Sequence, residues 1–181
     1  MKKLMIVAAL MAIGTAAHAQ KYMTRTGKVT FFSSTPVENI EAFNNDVACA
    51  IDSKTGDVAF QVPVKSFKFE KALMQEHFNE NYMESDKYPR ADFKGKIADM
   101  SKVNFGKDGS YAVSVNGKMT IHGVTRDVTI PGTVVVKGKN ATATSKFMVK
   151  PADYKINIPG VVEGKIAKEI EVTVNSVLES K

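Results

Sequence analysis

The sequence predicts an all-β domain: an eight-stranded antiparallel β-barrel with one or two short helices beside it. Apolar and polar residues alternate along eight segments, which is the period of a strand with one buried face. Glycine-containing turns separate these segments at short intervals, and short connections favour antiparallel neighbours. Eight strands with one apolar face each can close into a barrel, whose interior either fills with side chains or holds one small ligand.

The alternation is clearest from Ser110 to His122, where five large apolar residues share one face with Gly117. Four further segments repeat the pattern, and three show it more weakly. The clear segments are Val58–Val64, Val128–Val136, Phe147–Val149 and Ile170–Val174; the weak ones are Val29–Phe31, Ala48–Ile51 and Phe93–Ile97. Pro63 and Pro131 lack the amide donor of a strand ladder, so strand continuity is open at both positions.

Two stretches depart from the alternation and predict helices. Thr35-Pro36-Val37-Glu38 supplies an N-cap threonine, a proline at the first helical position and a glutamate three residues after the cap. This start would lead into Ile40 and Phe43. The second stretch, Lys71–Met83, places apolar residues at four-residue steps on one face. Both helices are long enough to cover part of a barrel mouth.

The first nineteen residues have the pattern of a cleavable signal peptide: two lysines, an apolar run from Leu4 to Ile13, and the small-residue site Ala17-His18-Ala19. A membrane anchor is the alternative, but the run is shorter than the roughly 20 residues that a spanning helix needs. The sequence therefore predicts residues 1–19 as a signal and residues 20–181 as one domain. It also predicts a periplasmic or secreted protein with no transmembrane segment in the mature chain.

The charge of the chain gives no indication of a nucleic-acid partner. Cleavage would leave 23 basic and 19 acidic residues, a net charge of +4, and the lysines are scattered rather than clustered. Cys49 is the single cysteine, and its apolar neighbours predict that it is buried. Disulfides therefore do not stabilise this fold. The oligomeric state is left open, a homodimer included.

Nothing in the sequence indicates catalysis, a metal site or a cofactor. His77 and His122 are the only histidines after processing. His77 and Glu80 could share a metal, but a histidine hydrogen-bonded at a helix boundary is the favoured interpretation. His122 begins a turn and is expected to bond local backbone. Cys49 has no histidine near it in sequence, and no nucleophile-elbow or phosphate-binding glycine motif is present.

The alternation favours a binding module, because the inward phase of the predicted strands is apolar. The candidate lumen residues are Phe31, Phe60, Val62, Phe93, Val113, Val115, Met119, Ile121 and Phe147. Gly95, Gly117 and Gly132 share this phase and would leave space in the lumen. The alternative is a barrel that is filled by its own side chains. If ligand binds, Met74, Phe78, Tyr82 and Tyr88 are the candidates for the entrance.

Three stretches carry a resemblance to a known family. They are His77–Phe93, with Lys87-Tyr88-Pro89 followed by Phe93; Gly117–Thr125, which ends in His122-Gly123-Val124-Thr125; and Phe147–Ile156, with Asp153-Tyr154. In this order they resemble the YceI-like family of lipocalin-like lipid- and polyisoprenoid-binding proteins. The resemblance implies an eight-stranded barrel beside a helical segment, a lumen for isoprenoid or fatty-acyl chains, and a periplasmic or secreted location.

The resemblance fades before Val58. Relatives commonly have a histidine in the first strand and glycines in the second, where this chain has Phe32-Ser33-Ser34-Thr35-Pro36 and Asn44-Asn45-Asp46-Val47. Lys155 also stands where a glycine often follows the Asp-Tyr pair. We expect an exported, non-catalytic protein that binds a long isoprenoid, quinone-like or fatty-acyl lipid. The alternative is a structural or partner-binding envelope protein whose filled barrel holds no ligand.

Overall fold

The computed structural model describes residues 20–181; the predicted signal peptide, residues 1–19, lies outside the described residues. The strands are β1 (Lys21–Ser34), β2 (Asn39–Asp52), β3 (Asp57–Pro63), β4 (Lys68–Phe69), β5 (Arg90–Ile97), β6 (Gly109–Ile121), β7 (Val124–Lys137), β8 (Asn140–Val149) and β9 (Ile170–Ser180). A short α-helix, α1 (Ala72–His77), continues into a π-helical turn at Phe78–Tyr82. We call Ala72–Tyr82 the helical segment.

Eight of the strands close into an antiparallel barrel, as the sequence predicts. Each strand pairs with its neighbours in the order β1-β9-β8-β7-β6-β5-β3-β2, and β1 pairs with β2 to close the ring. The two-residue β4 is an addition that pairs with Ala42 and Phe43 of β2. The eight predicted segments coincide with the barrel strands, except that Val64 follows β3 and His122 follows β6. Alternation with a single buried face is the property that a closed sheet requires.

The predicted helix at Thr35–Glu38 is wrong: these residues form the turn between β1 and β2. The Thr35 hydroxyl accepts hydrogen bonds from the Glu38 and Val37 amides at 3.0 and 3.3 Å, as a helix cap would. The Thr35 amide, however, donates to the Glu38 carbonyl at 3.1 Å, and Ser34 pairs with Asn39 across the hairpin. Hydrogen bonding along β1 therefore overrides a local signal that the turn shares with a helix start.

The helical prediction at Lys71–Met83 is confirmed, with the α-helix and π-helical turn together spanning Ala72–Tyr82. Among the residues that the structure describes, no helix is long and apolar enough to cross a membrane.

The two ends of the barrel differ. The β2–β3, β5–β6 and β7–β8 connections and both termini of the described chain meet at one end, which is filled by a buried cluster that includes Tyr22, Ile51 and Leu178. Phe105 closes this end, with its ring centroid 5.3 Å from that of Tyr22. At the other end lie the β1–β2 turn, the helical segment, the β6–β7 turn and the long β8–β9 connection. We call these the closed end and the open end.

Candidate functional site

The half of the barrel towards the open end contains a cavity of about 600 Å³. The nine residues predicted to line the lumen all line it: Phe31, Phe60, Val62, Phe93, Val113, Val115, Met119, Ile121 and Phe147. Eight of the nine are only partly buried and Met119 is buried. These side chains border unfilled space, so the barrel is not filled by its own side chains.

The entrance candidates divide. Met74, Phe78 and Tyr82 line the cavity from the helical segment. Tyr88 does not: its ring packs edge-on against the ring of His122, with centroids 4.6 Å apart, and also lies against Gly123. The prediction that Tyr88 shapes the entrance is therefore wrong. The residue follows the helical segment, and its side chain packs on the β6–β7 turn instead of the lumen.

An aromatic cluster holds the helical segment against the open end. The Phe78 ring lies 5.0 to 5.5 Å, centroid to centroid, from the rings of three other phenylalanines. These are Phe31 of β1, Phe67 just before β4, and Phe69 of β4. Contacts at this separation between tilted aromatic rings are favourable beyond the area that they bury. The cluster therefore joins the helical segment to the part of the cavity wall that contains Phe31.

Two of the three inward-phase glycines do not create free space. A β-carbon on Gly95 or Gly117 would lie 2.7 or 2.8 Å from the Phe93 ring, and 2.7 or 2.5 Å from a backbone carbonyl of the neighbouring strand. The Phe93 ring therefore occupies the room that both glycines leave, towards the closed end. Gly132 lines the cavity as predicted.

Polar side chains on the cavity wall gather at the open end. Lys71 and Glu38 form an ion pair at 3.4 Å, and His77 and Lys165 also contribute to the wall. No group of three or more histidine, cysteine, aspartate or glutamate side chains within residues 20–181 is arranged to hold a metal ion. The polar groups at the mouth are placed to contact the polar head of a bound ligand. The remaining wall is almost entirely apolar.

The β8–β9 connection supplies wall residues that the sequence analysis missed. Ile156, Ile158, Val162 and Ile166 all line the cavity at the open end. They lie in a segment rich in turns, with Pro159 and Gly160 among them, so no strand or helix period marks them. The available signal was the density of isoleucine and valine in a connection that would otherwise be expected to be polar.

Cys49 is buried, as predicted, and burial raises the pKa of its thiol. A thiol in such surroundings is a weak nucleophile because the reactive species is the thiolate. Its place is in the cluster towards the closed end, beside Ile51 and Val58, where it contributes to packing.

The three stretches that carry the family resemblance meet beside the open end. His122 in the β6–β7 turn lies 2.6 Å from the Glu84 carboxylate and 3.3 Å from the Tyr154 carbonyl. Arg126 of β7 donates through Nε to the Asp153 carbonyl at 2.6 Å. His122 is a turn histidine, but the expectation that it bonds local backbone is wrong, because its partners lie 38 and 32 residues away.

A family model for the YceI-like domain matches residues 11–178. The chain belongs to the YceI-like family. No protein in the curated set that was compared matches the chain.

Solved structures share the fold of this YceI-like chain at low sequence identity. A polyisoprenoid binding domain from Saccharophagus degradans has a TM-score of 0.73 and 15% identity, over 90% of this chain and 99% of that one. BcnA from Burkholderia cenocepacia has a TM-score of 0.68 and 21% identity, over 83% and 95%. The Campylobacter jejuni YCEI protein has a TM-score of 0.60 and 16% identity, over 77% and 84%.

Proposed function

We propose that this chain is an exported, non-catalytic binding protein that holds a long apolar lipid in the barrel lumen for transport, storage or sequestration. The single observation that carries the proposal is the apolar cavity of about 600 Å³ behind a mouth with a few polar groups. A concave, mostly apolar site of 300 to 1,000 Å³ with few polar groups is typical of small-molecule binding.

The ligand class follows from the wall. With phenylalanine, valine and isoleucine around most of the cavity, binding depends on burial of apolar surface. Burial of about 500 Å² at roughly 25 cal/mol per Å² contributes on the order of 12 kcal/mol before costs. Association costs of about 4–15 kcal/mol consume much of this, so a short ligand would bind weakly. A long isoprenoid, quinone-like or fatty-acyl chain fits the site best.

The comparison with known structures supports the same class. The structural neighbour from Saccharophagus degradans is described as a polyisoprenoid binding domain. The open space in the lumen argues against the alternative, a structural barrel that is filled by its own side chains.

The test is extraction of bound lipid. The protein is purified under native conditions, extracted with organic solvent and analysed by mass spectrometry, and binding of a fluorescent fatty acid is titrated in parallel. Val115→Glu places a carboxylate on the cavity wall, and Ser114→Glu places the same group on the exposed outer face one residue earlier. Phe60→Glu and Gln61→Glu form a second such pair.

We expect the wild type, Ser114→Glu and Gln61→Glu to yield lipid and bind the probe. We expect Val115→Glu and Phe60→Glu to yield no lipid and to lose probe binding. Because a buried charge also costs stability, each variant's fold is checked by circular dichroism and urea unfolding. Undiminished lipid recovery from a folded Val115→Glu protein would contradict lumen binding, as would a wild type that yields no lipid and binds no probe.

Export is the second part of the proposal, supported by the three-part pattern of residues 1–19. A periplasmic or extracellular location would suit a carrier for lipids that water does not dissolve. Fractionation of cells that express the full chain tests it: the mature protein is expected outside the cytoplasm, and its recovery only in the cytoplasmic fraction would overturn this part.

A further inference from the structure

The barrel wall is interrupted between β7 and β8. β7 runs from Val124 to Lys137, yet it pairs with β8 only over Gly132–Lys137. Residues 124–131 of β7 pair with β6 alone, and residues 146–149 of β8 pair with β9 alone. The two strands therefore separate towards the open end, where neither has a ladder partner on the side that faces the other.

Pro131 stands where the ladder stops. The Ser145 hydroxyl of β8 donates to the Pro131 carbonyl at 2.5 Å, which places the hydrogen-bonding edge of Pro131 on the β8 side. In an antiparallel strand the amide and carbonyl of one residue point to the same neighbour, so the donor that proline lacks is one that β8 would need. The Ser145 hydroxyl satisfies the Pro131 carbonyl but does not supply the missing amide donor, and the pairing does not continue.

The gap is closed again further along by an ion pair. Arg126 of β7 donates through Nε to the Asp153 carbonyl at 2.6 Å, and its Nη2 lies 3.5 Å from the Asp153 carboxylate. Asp153 belongs to the 3₁₀ turn Pro151–Tyr154 that follows β8. We call the opening between the Gly132–Ser145 pair and the Arg126–Asp153 contact the side window.

A pocket of about 280 Å³ lies in the side window. Its outer lining includes Asp127 and Lys150, together with Met148, which is 52% exposed. Its inner lining includes Ile130 and Phe147, which also line the lumen cavity. Because Met119, Ile130, Phe147 and Val149 line both spaces, their side chains form the partition between the pocket and the lumen.

We propose that the side window is the route by which the lipid enters and leaves the lumen. The identity of the cargo rests on the proposed function. A route here needs rotation of the side chains that form this partition and release of the exposed Arg126–Asp153 ion pair. The competing route is the mouth at the open end, beside the helical segment that the cluster around Phe78 holds in place.

The charges of the side window indicate the kind of head group. Arg126 and Lys150 are basic, Asp127 and Asp153 are acidic, and each has an ionic partner. The window has no surplus of either sign, so it offers donors and acceptors without selecting a charged head. A hydroxyl or carbonyl head without net charge passes this environment most readily, since a charged head would compete with three existing ion pairs.

Rates of lipid exchange test the route. Met148→Trp and Val128→Trp add bulk in the side window, outside the lumen cavity, and Arg126→Gln removes the ion pair that closes it. Val177→Trp, on an exposed position of β9, and Lys146→Gln, in the Lys146–Glu171 pair, are the matched controls. Association and dissociation of a fluorescent long-chain alcohol are followed by stopped flow.

We expect both tryptophan variants to slow association and dissociation by about tenfold each while the dissociation constant stays constant, because a route changes rates and not equilibria. Arg126→Gln should speed both the association and the dissociation of the probe. Rates unchanged by the window variants, or slowed only by Leu73→Trp at the open end, would overturn the route. Wild-type protein that binds no probe would instead count against the proposed function.

Chemical labelling of an introduced cysteine tests the route without any lipid, so it applies even if the wild type binds no probe. Ile130→Cys places a thiol on the partition, and Cys49 gives little background because it is buried and burial raises its thiol pKa. We expect a bulky maleimide to label position 130, and Met148→Trp to slow the labelling while Leu73→Trp does not. Labelling that is indifferent to Met148→Trp would overturn the route, whatever the ligand.

Discussion

His122 Nε2 lies 2.6 Å from a carboxylate oxygen of Glu84, although 38 residues separate the two in sequence. The other ring nitrogen faces the Tyr154 carbonyl at 3.3 Å. Both partners are acceptors, so only a ring protonated at both nitrogens donates to both. Glu84, His122 and Lys155, which follows Tyr154, have φ values of 43°, 50° and 57°. These are all the positive-φ residues other than glycine in residues 20–181, so backbone strain gathers where the three stretches meet.

His122→Ala is expected to lower the free energy of unfolding by about 1–3 kcal/mol, because it leaves the Glu84 carboxylate and the Tyr154 carbonyl without this donor. Glu84→Gln, which keeps an acceptor oxygen, should cost less. Urea unfolding of both single variants and the double variant measures the coupling. Additive losses would show that the two residues do not interact energetically.

Phe78→Ala is expected to cost about 1–3 kcal/mol, because it removes one ring from contact with three others in a half-buried cluster. It should also increase hydrogen exchange in the helical segment more than in the strands. Val161→Ala is the matched control, since Val161 is 92% exposed and its truncation should change stability by less than about 0.5 kcal/mol. Equal effects of the two changes would contradict the role of the cluster.

Gly117→Ala is expected to destabilise the barrel by about 1–3 kcal/mol through overpacking. The new methyl group would lie 2.5 Å from the Lys94 carbonyl and 2.8 Å from the Phe93 ring, and the carbonyl is backbone that cannot turn away. Gly164→Ala meets open space and should leave the unfolding midpoint almost unchanged. Thermal unfolding of the two variants checks the contrast; a stable Gly117→Ala protein would show that β5 and β6 can move apart.

Cys49 makes stability depend on pH in the alkaline range. Burial raises the thiol pKa in the folded protein, so this contribution is fully present below the unfolded pKa and is lost as pH rises above it. We expect a loss of about 1.4 kcal/mol per pH unit above about pH 8.5, where the unfolded thiol ionises. Urea unfolding at pH 8 and 9.5 measures it. Cys49→Ala should remove this part of the slope; an identical slope in the variant would contradict the assignment.

Cleavage after Ala19 is expected to leave a chain that begins at Gln20. Intact-mass measurement of the exported protein checks this. Replacing the small residues, as in Ala17→Leu with Ala19→Leu, should block processing because the cleavage site needs small side chains. An exported protein that keeps its first nineteen residues would contradict the signal-peptide prediction.

Most of the barrel could be predicted from the sequence because each strand carries its own alternation. The same period places Phe60, Val113 and Phe147 on the inner face, and all three line the cavity. The two wrong predictions have one cause: a local sequence pattern does not specify the tertiary contact that decides the structure. The Thr35–Glu38 turn makes cap-like bonds that a helix would also make, and only the pairing of Ser34 with Asn39 decides between them. Tyr88 has the apolar body of an entrance residue, but the position of His122 decides where it packs.

By itself, the sequence determined which residues face inward, how many strands close the ring, and that Cys49 is buried, because these follow from local period and composition. Only the tertiary structure decided that Phe93 fills the room left by Gly95 and Gly117, that Glu84 meets His122, and that β7 and β8 separate beyond Gly132. Each of these depends on the register between segments far apart in the chain. Register is set by the closure of the whole barrel, which no local pattern specifies.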